Sequence, residues 1–282
     1  MKRESGIGIK KKIVWLLIHL ELIVVALFVI IPIFWIIISS FNKGNGLASA
    51  TLIPKELTID NYRRLFAETN YVKWFMNSFV IASLNAIVSV MLIMITAWTM
   101  SRFRFKGRKT GLMSILLLSM FPTFLSMTAI YTLFWNFGLL DKPYALVIIY
   151  AAGAIPYNVW LVKGYLDGIP QDIDEAAYID GSTYFKTFTK IVLPLSKPII
   201  TYCAVSQFMM PWMDYILPNM LLSSDENRTL AVGLFSMISG KENSNFTMFA
   251  GGAVLIAVPI TILFMFFQKY LVQGIAAGAN KG

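Results

Sequence analysis

The sequence predicts an all-α polytopic membrane protein with about six transmembrane helices. Apolar residues make up 57% of the 282 residues and charged residues only 14%, whereas a soluble domain carries about 25% charged residues. The apolar residues are gathered into runs longer than the roughly 20 residues with which a helix crosses the hydrocarbon core. A third observation, the distribution of Lys and Arg between those runs, predicts the orientation of the chain.

Six apolar runs are long enough to span a membrane, and the first follows a basic N-terminal tail. The run at 13–38 exceeds the roughly 7–15-residue apolar core of a secretory signal, so we interpret it as a retained spanning helix. The predicted spans are residues 13–38, 74–100, 110–136, 144–166, 198–222 and 246–271. An even number of spans leaves both termini on the same side of the membrane.

Lys and Arg in the connecting segments favour the side of both termini by two to one, which predicts that both termini are cytoplasmic. The predicted organisation is a cytoplasmic tail at 1–12, a transmembrane domain at 13–272 and a cytoplasmic tail at 273–282. Within the domain, 40–73 is an external loop and 168–197 is a cytoplasmic loop.

Two connecting segments carry local patterns of their own. In the external loop, Thr58 or Asp60 could cap a short surface helix with Tyr62, Leu65 and Phe66 on its apolar face. A simple ordered loop is an equal alternative there. The basic run at 102–109 is interpreted as a cytoplasmic anchor rather than a ligand-binding segment.

Prolines lie inside five of the six predicted spans, which indicates kinked helices arranged around a pathway. They are Pro32, Pro122, Pro156, Pro211 and Pro259. The proline-free span at 74–100 places Ser78, Ala82 and Ala86 four residues apart, a stripe of small side chains that suits close helix packing.

The acidic residues well inside the predicted spans are Glu21 and Asp214, each costing about 2.5–3.5 kcal/mol at the bilayer centre. His19 lies two residues from Glu21, so the two point to different faces and are not expected to form a proton relay. Asp214 could contact a neutral polar substrate or could fix packing beside a kinked helix. The candidate pathway residues are Gln207, Trp212, Asp214 and Tyr215.

The rare residue types limit the chemistry that this chain can perform. It contains one histidine and one cysteine, Cys203, so we expect no catalytic set, no metal site and no cofactor. The segment Gly107-Arg-Lys-Thr lacks the spacing of a phosphate-binding loop. The net charge of +9 is explained by topology and anionic lipid rather than by nucleic acid. Energy for uphill transport would therefore come from a partner or from an ion gradient.

The stretch 168–198 is the longest polar interval between apolar runs. Asp172 is predicted to cap a first helix in a capping-box pairing with Glu175, and Gly181 is predicted to end that helix in a sharp turn. A second helix is predicted from about Ser182. The apolar face of the first helix is predicted to hold Ile169, Ile173, Ala176 and Ala177, and that of the second Tyr184, Phe188, Ile191 and Val192. On physical grounds alone, this hairpin could dock onto a partner or lie on the membrane surface.

The spacing Glu175-Ala176-Ala177, then Gly181, then Ile191-x-Leu193-Pro194 resembles the cytoplasmic EAA loop of binding-protein-dependent ABC importer permeases. Other segments are similar to the maltose-type carbohydrate subgroup of that family. They are Leu57-Thr-Ile-Asp-Asn-Tyr, Trp74-Phe-Met-Asn-Ser, Ser101-Arg-Phe-Arg-Phe-Lys-Gly-Arg, Gly138-Leu-Leu-Asp, Ile169-Pro and the tail from Gln273.

This resemblance implies a type I ABC importer permease in a bacterial cell membrane, transporting an oligosaccharide such as a malto-oligosaccharide. It implies as partners a second homologous permease, two ATPase subunits and an extracellular solute-binding protein. The residues that it assigns to ATPase coupling are Asp172, Glu175, Ala176, Ala177, Gly181, Ile191, Leu193 and Pro194. The alternatives are an ion-coupled secondary transporter, which would need an intramembrane charge relay, and a membrane scaffold that transports nothing.

Overall fold

A computed structural model describes residues 5–46, 53–54, 56–120, 122–239 and 245–279, with side chains from residue 11 to residue 270 except residue 123. The predicted tail residues 1–4 and 280–282 and the loop residues 47–52 and 55 lie outside the described residues. The helices are α1 (Ser5–Ser40), α2 (Asp60–Glu68), α3 (Tyr71–Arg102), α4 (Arg108–Ser119), α5 (Thr123–Asn136), α6 (Pro143–Asp167), α7 (Asp172–Ile179), α8 (Tyr184–Thr187), α9 (Leu193–Leu195), α10 (Lys197–Met213), α11 (Ile216–Leu221), α12 (Leu230–Ser236) and α13 (Phe246–Ala279).

Six spans are observed if each sharply bent helix pair counts as one. Residues Lys11–Ser40, Tyr71–Arg102, Pro143–Asp167 and Phe246–Tyr270 form four spans that are long and apolar enough to cross a membrane. Two bent pairs supply the others, with angles of 100° between α4 and α5 and 81° between the stretch Tyr184–Leu195 and α10. The all-α prediction is confirmed for the described residues.

Two predicted spans differ from the observed helices. The span predicted at 110–136 is not a single straight helix, because it breaks near Pro122, whose missing amide hydrogen disfavours a continuous helix. The span predicted at 198–222 ends at Met213, after which extended backbone at Asp214 separates α10 from α11. The tail predicted from residue 273 continues α13 as helix to Ala279.

The chain divides into two compact units, and the first comprises Met1–Thr69 and Leu234–Val258. Its buried Asn61 donates hydrogen bonds of 2.9 Å to the carbonyls of Ser40 and Asn42, and its side-chain oxygen lies 3.1 Å from the Thr247 hydroxyl. The short surface helix is the observed alternative in the external loop, and α2 begins at Asp60. Its N-cap residue is Ile59, without a side-chain capping bond, so the predicted cap by Thr58 or Asp60 is wrong; the Asp60 amide donates to the Thr58 hydroxyl at 3.1 Å.

The side chains of α2 are only partly where the sequence predicts them. Leu65 is fully buried and Tyr62 is half-buried, whereas Phe66 is 51% exposed. In α1 of the same unit, the His19 Nδ1 lies 2.8 Å from the Trp15 carbonyl, and its ring contacts the Trp15 ring. His19 is therefore engaged with its own helix and not with Glu21, as the sequence predicts.

The second unit comprises Asn70–Gly233 and Pro259–Gly282, and α3 runs through it in contact with α6 and α10. One apolar cluster forms around Trp98, Val162, Leu166, Ile199 and Cys203. A second cluster forms around Ile81, Leu146, Tyr150, Leu217 and Leu221. The first cluster joins α3, α6 and α10, and the second joins α3 and α6 to α5 and α11.

The buried stripe of α3 confirms part of the small-residue prediction and corrects the rest. Ser78 and Ala82 are fully buried, but the stripe continues through Asn85 and Ser89, both fully buried, while Ala86 is only half-buried. The spacing of four residues drifts off the contact face because a helix turns once in 3.6 residues. The polar residue Asn85 therefore occupies the place in the buried stripe that the sequence predicts for the small residue Ala86.

At the predicted external end of this unit, residues 223–230 are held by hydrogen bonds from two sides. We call these residues, together with Trp74, Asn77, Ser78 and Asp141, the external clamp. Trp74 Nε1 donates to the Asp225 carbonyl at 2.7 Å, and Asn77 donates to the carbonyls of Glu226 and Arg228 at 2.9 Å. The Leu230 amide donates to the Ser78 hydroxyl at 2.8 Å.

Asp141 holds the other side of the external clamp. Its carboxylate accepts from the amides of Ser223 and Ser224, each at 2.9 Å, and from the side chain of Asn227 at 3.1 Å. Its φ of 59° is in the left-handed region, which an aspartate tolerates better than most residues. Burial acts to raise the pKa of Asp141, but the hydrogen bonds from Ser224, Asn227 and Ser223 outweigh burial and lower that pKa.

Candidate functional site

The predicted helix–turn–helix of the 168–198 loop is observed, and Gly181 forms its turn. The Ser182 amide donates to the Ala177 carbonyl at 2.9 Å and the Gly181 amide to the Tyr178 carbonyl at 3.0 Å, the paired bonds of a Schellman motif. Gly181 has a φ of 80°, which glycine adopts without the cost that a Cβ imposes. The second helix starts at Tyr184, and the Thr183 side chain accepts from the Lys186 amide at its N-cap.

The first helix, α7, starts differently from the prediction. Its N-cap residue is Gln171, without a side-chain capping bond, so the predicted capping box of Asp172 and Glu175 is wrong. Asp172 lies one position inside the helix, where its charge still suits the positive end of the helix dipole.

The two faces of α7 also differ from the prediction. Ala177 is buried as predicted, but it is accompanied by Asp174, and Ile173 and Ala176 are exposed. Glu175 is exposed beside Ala176. The helix therefore turns a carboxylate toward the protein and presents its Glu-Ala pair outward.

Large apolar side chains surround that outward face. Ile179 is 86% exposed, Phe185 75% and Tyr184 59%, and all three lie within a few residues of Gly181. We call Glu175, Ala176, Ile179, Tyr184 and Phe185 the coupling surface. Such a group of exposed apolar residues around a carboxylate is typical of a surface that a partner covers.

The inward face of α7 is anchored by a buried ion pair that sequence reasoning missed. Arg102 Nε lies 2.5 Å from Asp174 Oδ2, and the two side chains are only 6% and 7% exposed. Arg102 Nη2 also donates to the Ile169 carbonyl at 3.0 Å. Arg102 is therefore not the simple basic anchor that the run 102–109 predicts. The signal was Asp174 itself, which shares the buried face of α7 with Ala177, three residues further on.

A second polar junction joins the same end of α3 to α6. The Ser101 hydroxyl donates to Asp167 Oδ1 at 2.7 Å, and Lys163 Nζ lies 2.6 Å from Asp167 Oδ2. Tyr165 of α6 donates to the Leu195 carbonyl at 3.1 Å. The α7–α9 segment is thereby attached to two long helices.

A row of aromatic rings connects the coupling surface with the apolar core. Tyr178 contacts Tyr184 with 5.0 Å between ring centroids, and Tyr184 contacts Phe103 at 5.2 Å. Phe103 packs on Trp98 at 4.9 Å, and Trp98 packs on Phe188 at 4.8 Å. The rings thereby form a continuous series of contacts from the coupling surface to α3.

The remaining predicted coupling residues follow in the second helix. Residues Phe188–Val192 form a π-helical turn, in which Phe188 and Val192 are buried and Ile191 is half-buried. Leu193 is half-buried and Pro194 is exposed, at the first positions of α9. These residues are hence located between the coupling surface and the 81° bend that leads into α10.

The candidate pathway residues lie at the other end of α10. Asp214 Oδ2 accepts from the Tyr150 hydroxyl at 2.8 Å, and Asp214 Oδ1 accepts from the Ile216 amide at 3.0 Å. Asp214 thus caps α11, with Tyr215 as the N-cap residue by backbone position. These contacts favour the packing role for Asp214.

Trp212 and Gln207 have different surroundings. The Trp212 ring contacts Phe75 at 5.4 Å and Phe208 at 6.1 Å between centroids. Among the described residues, its buried indole Nε1 has no hydrogen-bond partner. Gln207 is 9% exposed, and its carbonyl accepts from Asn85.

The chain is similar to known proteins over nearly its whole length. It is 40% identical to the galactooligosaccharides transport system permease protein GanQ of Bacillus subtilis (strain 168), covering 94% of each chain. It is 42% identical to the maltodextrin transport system permease protein MdxG of the same organism, covering 94% of this chain and 95% of that protein.

A solved structure shares the fold. A crystal structure of a bacterial ABC transporter involved in the import of the acidic polysaccharide alginate matches with a TM-score of 0.82, at 23% identity, over 96% of this chain and 99% of that one. The model of one family, described as the binding-protein-dependent transport system inner membrane component, matches residues 89–277. The match includes the whole α7–α10 region, and the chain belongs to this family of inner membrane transport components.

Proposed function

We propose that this chain is the permease subunit of an ATP-driven importer of oligosaccharides and forms half of the translocation pathway. Its family membership and the names of GanQ and MdxG, which refer to galactooligosaccharides and maltodextrin, support this function. A malto-oligosaccharide or a similar neutral oligosaccharide is the proposed substrate. The chain itself is a transport component and not an enzyme.

The observation that carries the proposal is the coupling surface. Its exposed aliphatic side chain, Ile179, lies on α7, which the buried pair of Arg102 and Asp174 anchors. Its exposed rings, Tyr184 and Phe185, lie at the start of α8. A surface that is apolar, outward and rigidly backed is suited to receive force from a partner rather than to lie loosely on lipid. A carboxylate, Glu175, at its centre offers a partner's cationic side chain an ion pair.

The proposed partners follow from that function. Two ATPase subunits hydrolyse ATP and press on the coupling surface, and a second, homologous permease completes the pathway within the bacterial cell membrane. An extracellular solute-binding protein delivers the sugar. Asp172, Gly181, Ile191, Leu193 and Pro194 belong to the coupling element in this proposal, since they shape or support the α7–α9 segment.

We also propose that the C-terminal end of α10 borders the pathway. Trp212 offers an aromatic ring that suits the apolar face of a sugar. Gln207, Asp214 and Tyr215 lie in or next to the same end of α10 and belong to the proposed border, with Asp214 acting through packing.

Crosslinking of a single engineered cysteine tests the coupling role. Cys203 is buried, so an Ala176→Cys variant presents a thiol on the coupling surface while the native thiol stays protected. With the full complex in membranes, a short bifunctional maleimide is expected to join Ala176→Cys to an ATPase subunit. A cysteine at Glu68, on the predicted external side, is the matched control and is expected to form no such product.

Transport by the reconstituted complex tests the substrate class. Proteoliposomes holding the complex are expected to accumulate labelled oligosaccharide only with ATP and the solute-binding protein. Accumulation driven by a proton or sodium gradient without the ATPases would contradict the proposal and favour the secondary transporter.

A further inference from the structure

Pro211 leaves a gap in the hydrogen bonding of α10, close to the C-terminal end of that helix. Proline has no amide hydrogen, so the carbonyl four residues earlier, that of Gln207, loses its helical donor. In a water-free interior such a carbonyl needs a replacement donor, because an unsatisfied polar group is costly in hydrocarbon.

The replacement comes from the neighbouring helix. Asn85 Nδ2 of α3 donates to the Gln207 carbonyl at 2.7 Å. The Ser89 hydroxyl, one turn further along α3, donates to Asn85 Oδ1 at 2.8 Å and fixes the orientation of the amide. Asn85 and Ser89 are fully buried, so this chain of two bonds is shielded from competing water.

The last turn of α10 lies just beyond the carbonyl that Asn85 binds. Pro211 is followed directly by Trp212, whose ring packs on Phe75 of α3. The opposite end of α10 continues from the coupling element through the bend at 81°. The Asn85–Gln207 bond is therefore a fixed point between the two ends of the helix.

We propose that Asn85 is a positioning residue for transport: it supplies the donor that Pro211 removes and so holds the last turn of α10, with Trp212, against α3. This inference rests on the proposed function. Asn85 contacts no substrate in this proposal; it acts through the direction of α10.

A double-mutant cycle tests the inference in the complete transporter in proteoliposomes. Asn85→Leu keeps the side-chain size but removes the donor, and the maximal uptake rate is expected to fall about tenfold, as for loss of one buried hydrogen bond. Pro211→Ala restores a backbone amide to the Gln207 carbonyl. In that background, Asn85→Leu is expected to lower uptake by less than about twofold, because the donor is no longer needed.

Asn158→Leu is the matched control. Asn158 is a buried amide in α6 that donates at 2.8 Å to the Ala154 carbonyl, which is not opposite a proline. Its effect on uptake is expected to be the same with and without Pro211→Ala. An equal loss from Asn85→Leu in both backgrounds would overturn the proposal.

Two further measurements, membrane abundance and the ratio of sugar imported to ATP hydrolysed, test the inference if Asn85→Leu is poorly produced. If Asn85→Leu does not accumulate in the membrane, recovery of its abundance by Pro211→Ala supports the proposal, and absence of recovery overturns it. The ratio of sugar imported to ATP hydrolysed is expected to fall in Asn85→Leu, a change that lower abundance alone does not produce. Failure of the proposed function is distinguishable from failure of this inference, since the unmodified complex would then import no oligosaccharide at all.

Discussion

The coupling surface and the external clamp are both short polar segments between apolar helices, yet they satisfy their side chains in opposite ways. In the external clamp, the Asp141 carboxylate and the carbonyls of Asp225, Glu226 and Arg228 all have partners within the chain. In the coupling surface, Glu175 is exposed, and Ile179 and Phe185 are 86% and 75% exposed.

This difference distinguishes the external clamp, a structural junction, from the coupling surface, the proposed docking surface for a partner. The polar groups of the external clamp have their partners within the chain, so removing these hydrogen bonds is expected to lower the stability of the fold. The coupling surface adds little to the stability of the isolated chain, because its apolar groups gain nothing from folding until they are covered. Its loss is expected to appear in transport.

The largest expected effect is that of Glu175→Lys on uptake. Reversing the charge within the coupling surface places like charges against the cationic side chain of the proposed partner, which costs several kcal/mol at an interface. Oligosaccharide uptake is expected to be abolished, while insertion and thermal stability of the chain stay unchanged.

The matched control for that experiment is Glu68→Lys. Glu68 is also exposed and carries the same charge, but its partner is Arg64 of the same helix, in an ion pair of small energetic value. Wild-type uptake by Glu175→Lys, or equal loss in Glu68→Lys, would remove the distinction between the two regions.

Breaking the ion pair behind the coupling surface is expected to have the next largest effect. Arg102→Leu leaves Asp174 buried and unpaired, which typically costs about 3–5 kcal/mol of stability. A lower melting temperature of the solubilised complex and reduced uptake are expected.

The double variant Arg102→Leu with Asp174→Leu removes both buried charges. It is expected to recover most of the stability, because no unpaired charge remains. Recovery of uptake in the same variant would show that an apolar contact anchors α7 as well as the ion pair does. No recovery of stability would contradict the assigned pairing.

Asp141→Asn tests the external clamp and its pH dependence. Asparagine tolerates the left-handed backbone at this position but cannot accept all the hydrogen bonds of a carboxylate, so about 1–3 kcal/mol of stability is expected to be lost. Uptake at the growth temperature is expected to change little.

The sign of the pH effect follows from the lowered pKa of Asp141. The contribution of the carboxylate is complete above the ordinary value of 3.8 and is lost as the pH falls towards the lower, folded pKa. The difference in melting temperature between parent and Asp141→Asn is therefore expected to shrink below about pH 4. A difference that grows on acidification would refute this assignment.

The smallest expected effect is that of replacing Gly181. A Cβ at Gly181 would have no heavy atom within 4 Å, so the cost comes from the φ of 80° alone. Gly181→Ala is expected to cost about 1–2 kcal/mol and Gly181→Asn less, since asparagine adopts this conformation more readily. Melting temperatures of the two variants check the order, and a more destabilising asparagine would contradict it.

The sequence predicted those features that depend only on backbone preferences or on exclusion from water. Run length predicted the number of spans, and Gly181 predicted the turn between α7 and α8, because only glycine takes that φ at no cost. The segments Trp74-Phe-Met-Asn-Ser and Gly138-Leu-Leu-Asp were read only as signs of a family. They supply Trp74, Asn77, Ser78 and Asp141 to the external clamp.

Pairings between distant positions could not be predicted in this way. Nothing local distinguishes Arg102 from the other basic residues of 102–109, and only the packing of α3 against α7 brings it to Asp174. Asp214 likewise had two roles open to it until Tyr150 and the start of α11 supplied its donors. The predicted capping box failed because the helix begins one residue earlier than the motif requires, with Gln171 and not Asp172 at the N-cap.

By itself, the sequence determined the class of the protein: its spans, the position of the polar loop and the turn within that loop. These follow from hydrophobic length and from the backbone preferences of single residues, which act without long-range contacts. Only the tertiary structure decided which face of α7 is outward, which cation pins it and which amide serves the carbonyl freed by Pro211. Those choices depend on pairs of hydrogen-bonding or charged groups up to 122 positions apart, which meet only when the helices pack.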